Sequence, residues 1–158
     1  MGVQSLVRTY CDERIKLFAL EQNRGPDFVR NLALQEARGR YIAFLDSDDF
    51  WERDKLEKQV AFMQSKQTVL SYSAYWVVDE DGHRLGQFSP RRSIDYQAML
   101  ETCEIGNSTA MYDSQILGKL TNGTLRHDYE LWLKILKTGA LAHCVEDLSA
   151  PPPLHFLV

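Results

Sequence analysis

Residues 41–45, YIAFL, constrain the fold more than any other part of this chain. They form an unbroken apolar run closed by the acids Asp46, Asp48 and Asp49. Such a run suits a strand covered by helices on both faces. Its flanks fit that reading. Gly25 and Pro26 mark a turn, and Asp27 is placed to cap a helix whose apolar face is Phe28, Val29, Leu32, Ala33 and Ala37, with Gly39 closing it. A second helix is expected over residues 51–66, with Leu56, Val60 and Met63 on one side. Turn, helix, buried strand, acids and helix follow the order of an open α/β sheet, where ligands bind just outside the carboxyl ends of the strands.

The acids carry the chemistry. In an extended segment, residues i and i+2 point to one side about 7 Å apart. Asp46 and Asp48 are therefore expected to aim at one cation while Asp49 starts a turn. Hard oxygen ligands, completed by water and phosphate, suit magnesium or manganese. Such a metal neutralises a diphosphate and stabilises it as a leaving group. The spacing alone is unspecific, because twelve aspartates give about one such pair by chance. Asp79 and Asp81 repeat the spacing before Gly82 and read as a hairpin turn instead. An acidic turn that merely caps a helix is the plainer alternative at residues 46–49.

Further strands are expected at residues 15–21 (IKLFALE, short and buried), 68–79 with a hairpin partner at 83–88, and 141–146. Residues 4–13 read as the tail of a helix, and 93–103 and 113–120 as short helices. A firmer helix covers 127–139, where Tyr129, Trp132, Leu133 and Leu136 recur at helical spacing and Gly139 stops it. Pro151, Pro152 and Pro153 cannot continue regular structure. The 158 residues suit one domain, residues 1–158.

A net charge of −4 gives no electrostatic footprint for nucleic acid. No apolar run approaches the ~20 residues that span a bilayer. The first residues lack the apolar core and cleavage site of a signal peptide. Cys11, Cys103 and Cys144 lack CxxC spacing, which argues against a disulfide framework or zinc site and for a cytoplasmic setting. The sequons at Asn107 and Asn122 read as chance.

Residues 23–63 resemble family 2 glycosyltransferases of the GT-A fold. The resemblance rests on Asn23, Gly25, Arg30 and Asn31, then on Ala37, Gly39, Tyr41, Ile42, Phe44, Leu45, Asp46, Asp48, Asp49 and Trp51, then on Lys55, Leu56 and Gln59. It continues less densely through Tyr72, Gly82 and Gly106 to residues 128–133, DYELWL. The resemblance implies a mixed sheet flanked by helices and transfer of a sugar from a nucleotide-diphosphate donor to a saccharide or lipid-linked acceptor. It implies a divalent metal (magnesium or manganese) at Asp46 and Asp48, with Arg30 and Asp46 near the nucleotide and ribose. Asp128 matches the family's general base, which takes the acceptor proton as that oxygen inverts the anomeric carbon. Where many members carry Glu-Asp, this chain has His127-Asp128. Each assignment has a plainer rival: Asp128 as a helix cap, Arg30 as a surface ion-pair partner, His127 as a solvated residue, and Trp51 and Trp132 as core. By analogy with similar proteins the setting is envelope polysaccharide synthesis, peripheral to the inner face of the membrane.

Against that family, the first two strands of the sheet are absent, and Met1 falls in the helix after the second of them. The expectation is a partial GT-A domain, with either a central gap beside the strands at 15–21 and 41–45 or direct pairing of the two through a right-handed crossover. A separately encoded N-terminal fragment completing an enzyme, a noncatalytic metal- or sugar-binding module, and an inactive remnant all stay open.

Overall fold

The computed structural model of the chain describes residues 3–121, 127–145 and 154–157. Its helices are α1 (Val3–Val7), α2 (Gly25–Glu36), α3 (Lys55–Lys66), α4 (Tyr96–Glu101), α5 (Ser114–Leu117) and α6 (His127–Leu136). Its strands are β1 (Tyr41–Ala43), β2 (Asp49–Trp51), β3 (Leu70–Ser73), β4 (Tyr75–Val78), β5 (Arg84–Phe88), β6 (Ser93–Ile94), β7 (Met111–Asp113), β8 (Ala142–Val145) and β9 (Leu154–Leu157). One sheet runs β1-β7-β3-β8-β6 and a second runs β2-β9-β4-β5. The β3/β8 and β4/β9 pairs are parallel and the other pairings antiparallel, so this is the mixed α/β architecture expected.

Local chemistry explains most element ends. Gly25 adopts φ +79° at the head of α2, with Pro26 in the first turn, and the Asn23 carboxamide oxygen accepts the Gly25 N–H at 2.9 Å. The Asp95 carboxylate caps α4 by accepting the Ala98 N–H at 2.8 Å. Past α6, Gly139 takes φ +89° and its N–H reaches the Leu136 carbonyl. The core lies between the first sheet and helices α4 and α6, where Tyr72, Tyr112, Leu131, Trp132 and Ile135 are fully buried.

Several expectations are corrected. Residues 15–21 form no strand, and Ile15, Leu17, Phe18 and Leu20 are exposed. A strand needs a neighbour for its N–H and C=O groups. Among the described residues β1 pairs only with β7, and its outer edge is not taken by residues 15–21 in a crossover pairing. Instead, an ion pair from Lys16 to Glu36 ties residues 15–21 to the end of α2. Residues 41–45 are not buried throughout: β1 stops at Ala43, and Leu45 is exposed.

Asp27 does not cap α2, which ends at Glu36 with Ala37 rather than Gly39 as its C-cap. The helix at 4–13 is only α1. Residues 68–79 split at Ala74 into β3 and β4, which serve different sheets, while the β4/β5 hairpin forms as expected. The helix expected from Trp51 begins at Lys55, because residues 49–51 form β2 against β9. Its buried stripe is Lys55, Gln59 and Met63, with Leu56 exposed. Residues 151–153 lie outside the described set.

Candidate functional site

The chain leaves β1 through Phe44 and Leu45 and turns at residues 46–49. The Asp49 N–H closes this turn on the Asp46 carbonyl at 3.2 Å. Asp46 and Asp48 therefore belong to a turn and not to an extended run, and their relation is set by turn geometry, not strand alternation. Arg30, projecting from α2, donates through Nη2 to Asp46 Oδ1 at 2.5 Å. Asn107 Nδ2 donates to the same oxygen at 3.0 Å. Both bonds fall on Oδ1, so the second oxygen is the one a cation would meet.

Asp128 is supplied by α6. It lies within the first turn of α6 and its Oδ1 accepts the Tyr129 N–H at 3.0 Å. The residue before this helix falls outside the described set, as does the side chain of His127. Two contacts fix the helix against the site. The Trp132 ring meets Phe44 edge-on at 6.2 Å, and the Tyr129 hydroxyl donates to the Met99 carbonyl at 3.0 Å. Asp128 thereby stands close enough to Arg30 and Asp46 to feel both charges. Burial pushes its carboxyl above the ordinary value, the Arg30 guanidinium draws it back, and Asp46 adds to the rise. The fold has brought together three residues separated by up to 98 positions.

Asp49 is pushed up to about 6, first by burial, with the Ser108 hydroxyl partly offsetting it and the Asp48 and Asp46 charges adding to it. Like charges crowd this turn, and Asp48 is exposed. Hard carboxylate oxygens suit a divalent cation, which would relieve this repulsion, but the ligand atoms of Asp46, Asp48 and Asp49 do not all lie within 4.8 Å of one another. Among the described residues, the group of three metal-capable side chains whose ligand atoms all lie within 4.8 Å of one another is a different one, Asp79, Asp81 and His83. There the Asp79 carboxylate is occupied by the turn itself, accepting the Asp81 and His83 N–H groups and contacting the His83 ring.

A brace on the inner side of the turn escaped the sequence reading. The 3₁₀ turn Asn107–Thr109 is buried, and Ser108 Oγ accepts the Asp46 N–H at 3.0 Å. The Trp51 indole N–H donates to the Ser108 carbonyl at 2.8 Å, and Gln59 Nε2 donates to the Thr109 carbonyl at 3.0 Å. Lys55 sits beneath Trp51 with Nζ 4.1 Å from the ring centroid, fully buried and without a hydrogen-bond partner among the described residues. The signal for the brace was a polar run, Gly106 to Thr109, set between apolar neighbours.

Comparison with known proteins bears on all of this. The model of the family described as glycosyl transferase family 2 matches residues 2–120. The chain is 38% identical over 154 residues to the putative teichuronic acid biosynthesis glycosyltransferase TuaG of Bacillus subtilis, covering 94% of this chain and 61% of TuaG. It is 39% identical over 138 residues to WfaP of Escherichia coli, a UDP-Glc:alpha-D-GlcNAc-diphosphoundecaprenol beta-1,3-glucosyltransferase, covering 87% of this chain and 55% of WfaP. Among solved structures, S. aureus TarS 1-349 in complex with UDP-GlcNAc superposes with a TM-score of 0.73 at 19% identity, over 98% of this chain and 46% of TarS. The fold is thus that of TarS. The chain spans about half to three-fifths of these proteins' length.

Proposed function

We propose a reaction for this chain from a plain premise: it belongs to glycosyl transferase family 2. The reaction is transfer of a sugar from a uridine-diphosphate donor to the hydroxyl of a lipid-linked saccharide, with inversion at the anomeric carbon. The setting is synthesis of an envelope polysaccharide at the cytoplasmic face of the membrane. No described helix is long and apolar enough to cross a membrane. The observation that carries the proposal is the convergence of Arg30, Asp46 and Asp128 beside the acidic turn.

Asp48 and the second oxygen of Asp46 would hold a magnesium or manganese ion, which when bound neutralises the diphosphate and eases its departure. Arg30 holds Asp46 in place and adds positive charge on the nucleotide side. Asp128 accepts the acceptor's proton as the acceptor oxygen forms its bond to the anomeric carbon. The carbon–oxygen bond to the diphosphate breaks in the same step, and its electron pair leaves with the phosphate. Burial raises the basicity of Asp128 toward the range a general base needs. The E. coli relative's UDP-Glc donor and diphosphoundecaprenol-linked acceptor support the choice of substrate class.

The test uses calorimetry with manganese and UDP, and transfer assays with manganese and UDP-glucose on a lipid-diphosphate GlcNAc acceptor. Asp48→Ala should abolish metal-dependent UDP binding. Asp128→Asn should bind UDP as the wild type does and lose transfer. Wild-type turnover by Asp128→Asn would refute the base assignment.

A further inference from the structure

We infer that the buried turn Asn107–Thr109 is a positioning element for the donor site, with Ser108 its central residue. The inference rests on the donor-site reading above.

Four hydrogen bonds tie this turn to the elements around the acids. Asn107 Nδ2 holds the Asp46 carboxylate, Ser108 Oγ holds the Asp46 amide, the Trp51 indole holds the Ser108 carbonyl, and Gln59 holds the Thr109 carbonyl. The first two grip Asp46 where the acidic turn begins, and the third grips the chain where β2 ends. The acidic turn is thus clamped at both ends by one rigid body. That body is itself anchored: the Thr109 hydroxyl donates to the Gly106 carbonyl at 2.7 Å, and β7 begins two residues later between β1 and β3. Ser108 and Thr109 are fully buried, and the Gln59 bond to the Thr109 carbonyl is shielded from bulk water.

Asn107 is also buried, and its Oδ1 has no partner although its Nδ2 is engaged with Asp46. An orphaned acceptor beside a carboxylate is costly in a purely structural turn. It is understandable where a bound ligand or metal-held water supplies the donor. Ser108 touches no reacting atom. It acts through Asp46 and the turn that Asp46 opens.

Groups that orient a metal's ligands typically change affinity 10- to 100-fold when removed. Calorimetry of the 158-residue chain with manganese chloride and UDP compares wild type, Ser108→Ala, Ser108→Thr and Trp51→Phe, with circular dichroism checking each fold. Ser108→Ala should weaken manganese-dependent UDP binding by roughly 10- to 100-fold. Ser108→Thr, which keeps the hydroxyl, should restore it. Trp51→Phe, which keeps an aromatic side chain and removes the N–H, should fall between. Wild-type affinity in folded Ser108→Ala overturns the positioning role and leaves the donor-site reading standing. A wild type that binds no manganese–UDP overturns the donor-site reading and the positioning role together. Should Ser108→Ala not fold, Trp51→Phe decides, and unchanged binding there overturns the role.

Discussion

Replacing Lys55 with methionine should stabilise this protein. The Lys55 ammonium is buried beneath Trp51 with no carboxylate or carbonyl among the described residues to receive its protons. Burial alone lowers its pKa from 10.5 to about 7. The interval of about 3.5 between those values corresponds to roughly 5 kcal/mol against the charged form, at about 1.4 kcal/mol per pH unit. The Trp51 face returns up to about 1 kcal/mol to the cation. Between pH 7 and 10.5 the unfolded chain holds a proton that the folded chain has released. Stability therefore rises with pH across that window and the penalty fades.

Methionine matches the length of the lysine stem and carries no charge. At pH 7.5, Lys55→Met should gain about 3 kcal/mol over the wild type. At pH 9.5 the gain should shrink to about 1 kcal/mol or less. Urea unfolding followed by tryptophan fluorescence at the two pH values measures the difference, and comparing variant with wild type cancels other titrating groups. A variant less stable than wild type at pH 7.5, or a gain that does not narrow by pH 9.5, would refute the reasoning.

Trp132→Ala should cost about 3–5 kcal/mol, because a fully buried indole leaves a cavity that the sheet cannot close. It also removes the contact with Phe44, so any folded fraction should show weaker transfer at unchanged UDP affinity, read by calorimetry alongside the assay. The rate of transfer should fall on the acid side, with a midpoint above the usual 3.8 of an aspartate, since burial raises Asp128 and only its deprotonated form accepts a proton. Asp49 is raised as well, to about 6. The acid limb should therefore persist in Asp49→Asn, and its disappearance there would assign it to the wrong residue. Gly139→Ala should lose about 1 kcal/mol by urea unfolding, because its φ of +89° disfavours any side chain. No loss would mean the α6 terminus relaxes.

How much was legible in the sequence follows from the range of the forces involved. Short-range signals held. Gly25 and Pro26 open α2, Gly82 turns the β4/β5 hairpin at φ +82°, Gly139 closes α6, and residues 142–145 form β8. These outcomes depend on backbone sterics and on neighbours a few positions away, which the amino-acid order itself contains. The ordered motif from Asn23 to Gln59 and its continuation to Asp128 likewise pointed to the family before any coordinates.

Tertiary structure decided what depends on distant partners. Residues 15–21 have the composition of a strand, yet among the described residues they leave the outer edge of β1 unpaired and their apolar side chains exposed. Leu56 looked inward by hydropathy, yet α3 turns Lys55 and Gln59 toward the sheet because Trp51, Ser71 and Thr109 receive them there. The same long-range packing joins Arg30, Asp46, Ser108 and Asp128. Sequence spacing measures distance along the chain, whereas electrostatics and hydrogen bonds act through space, and only the folded path converts one into the other.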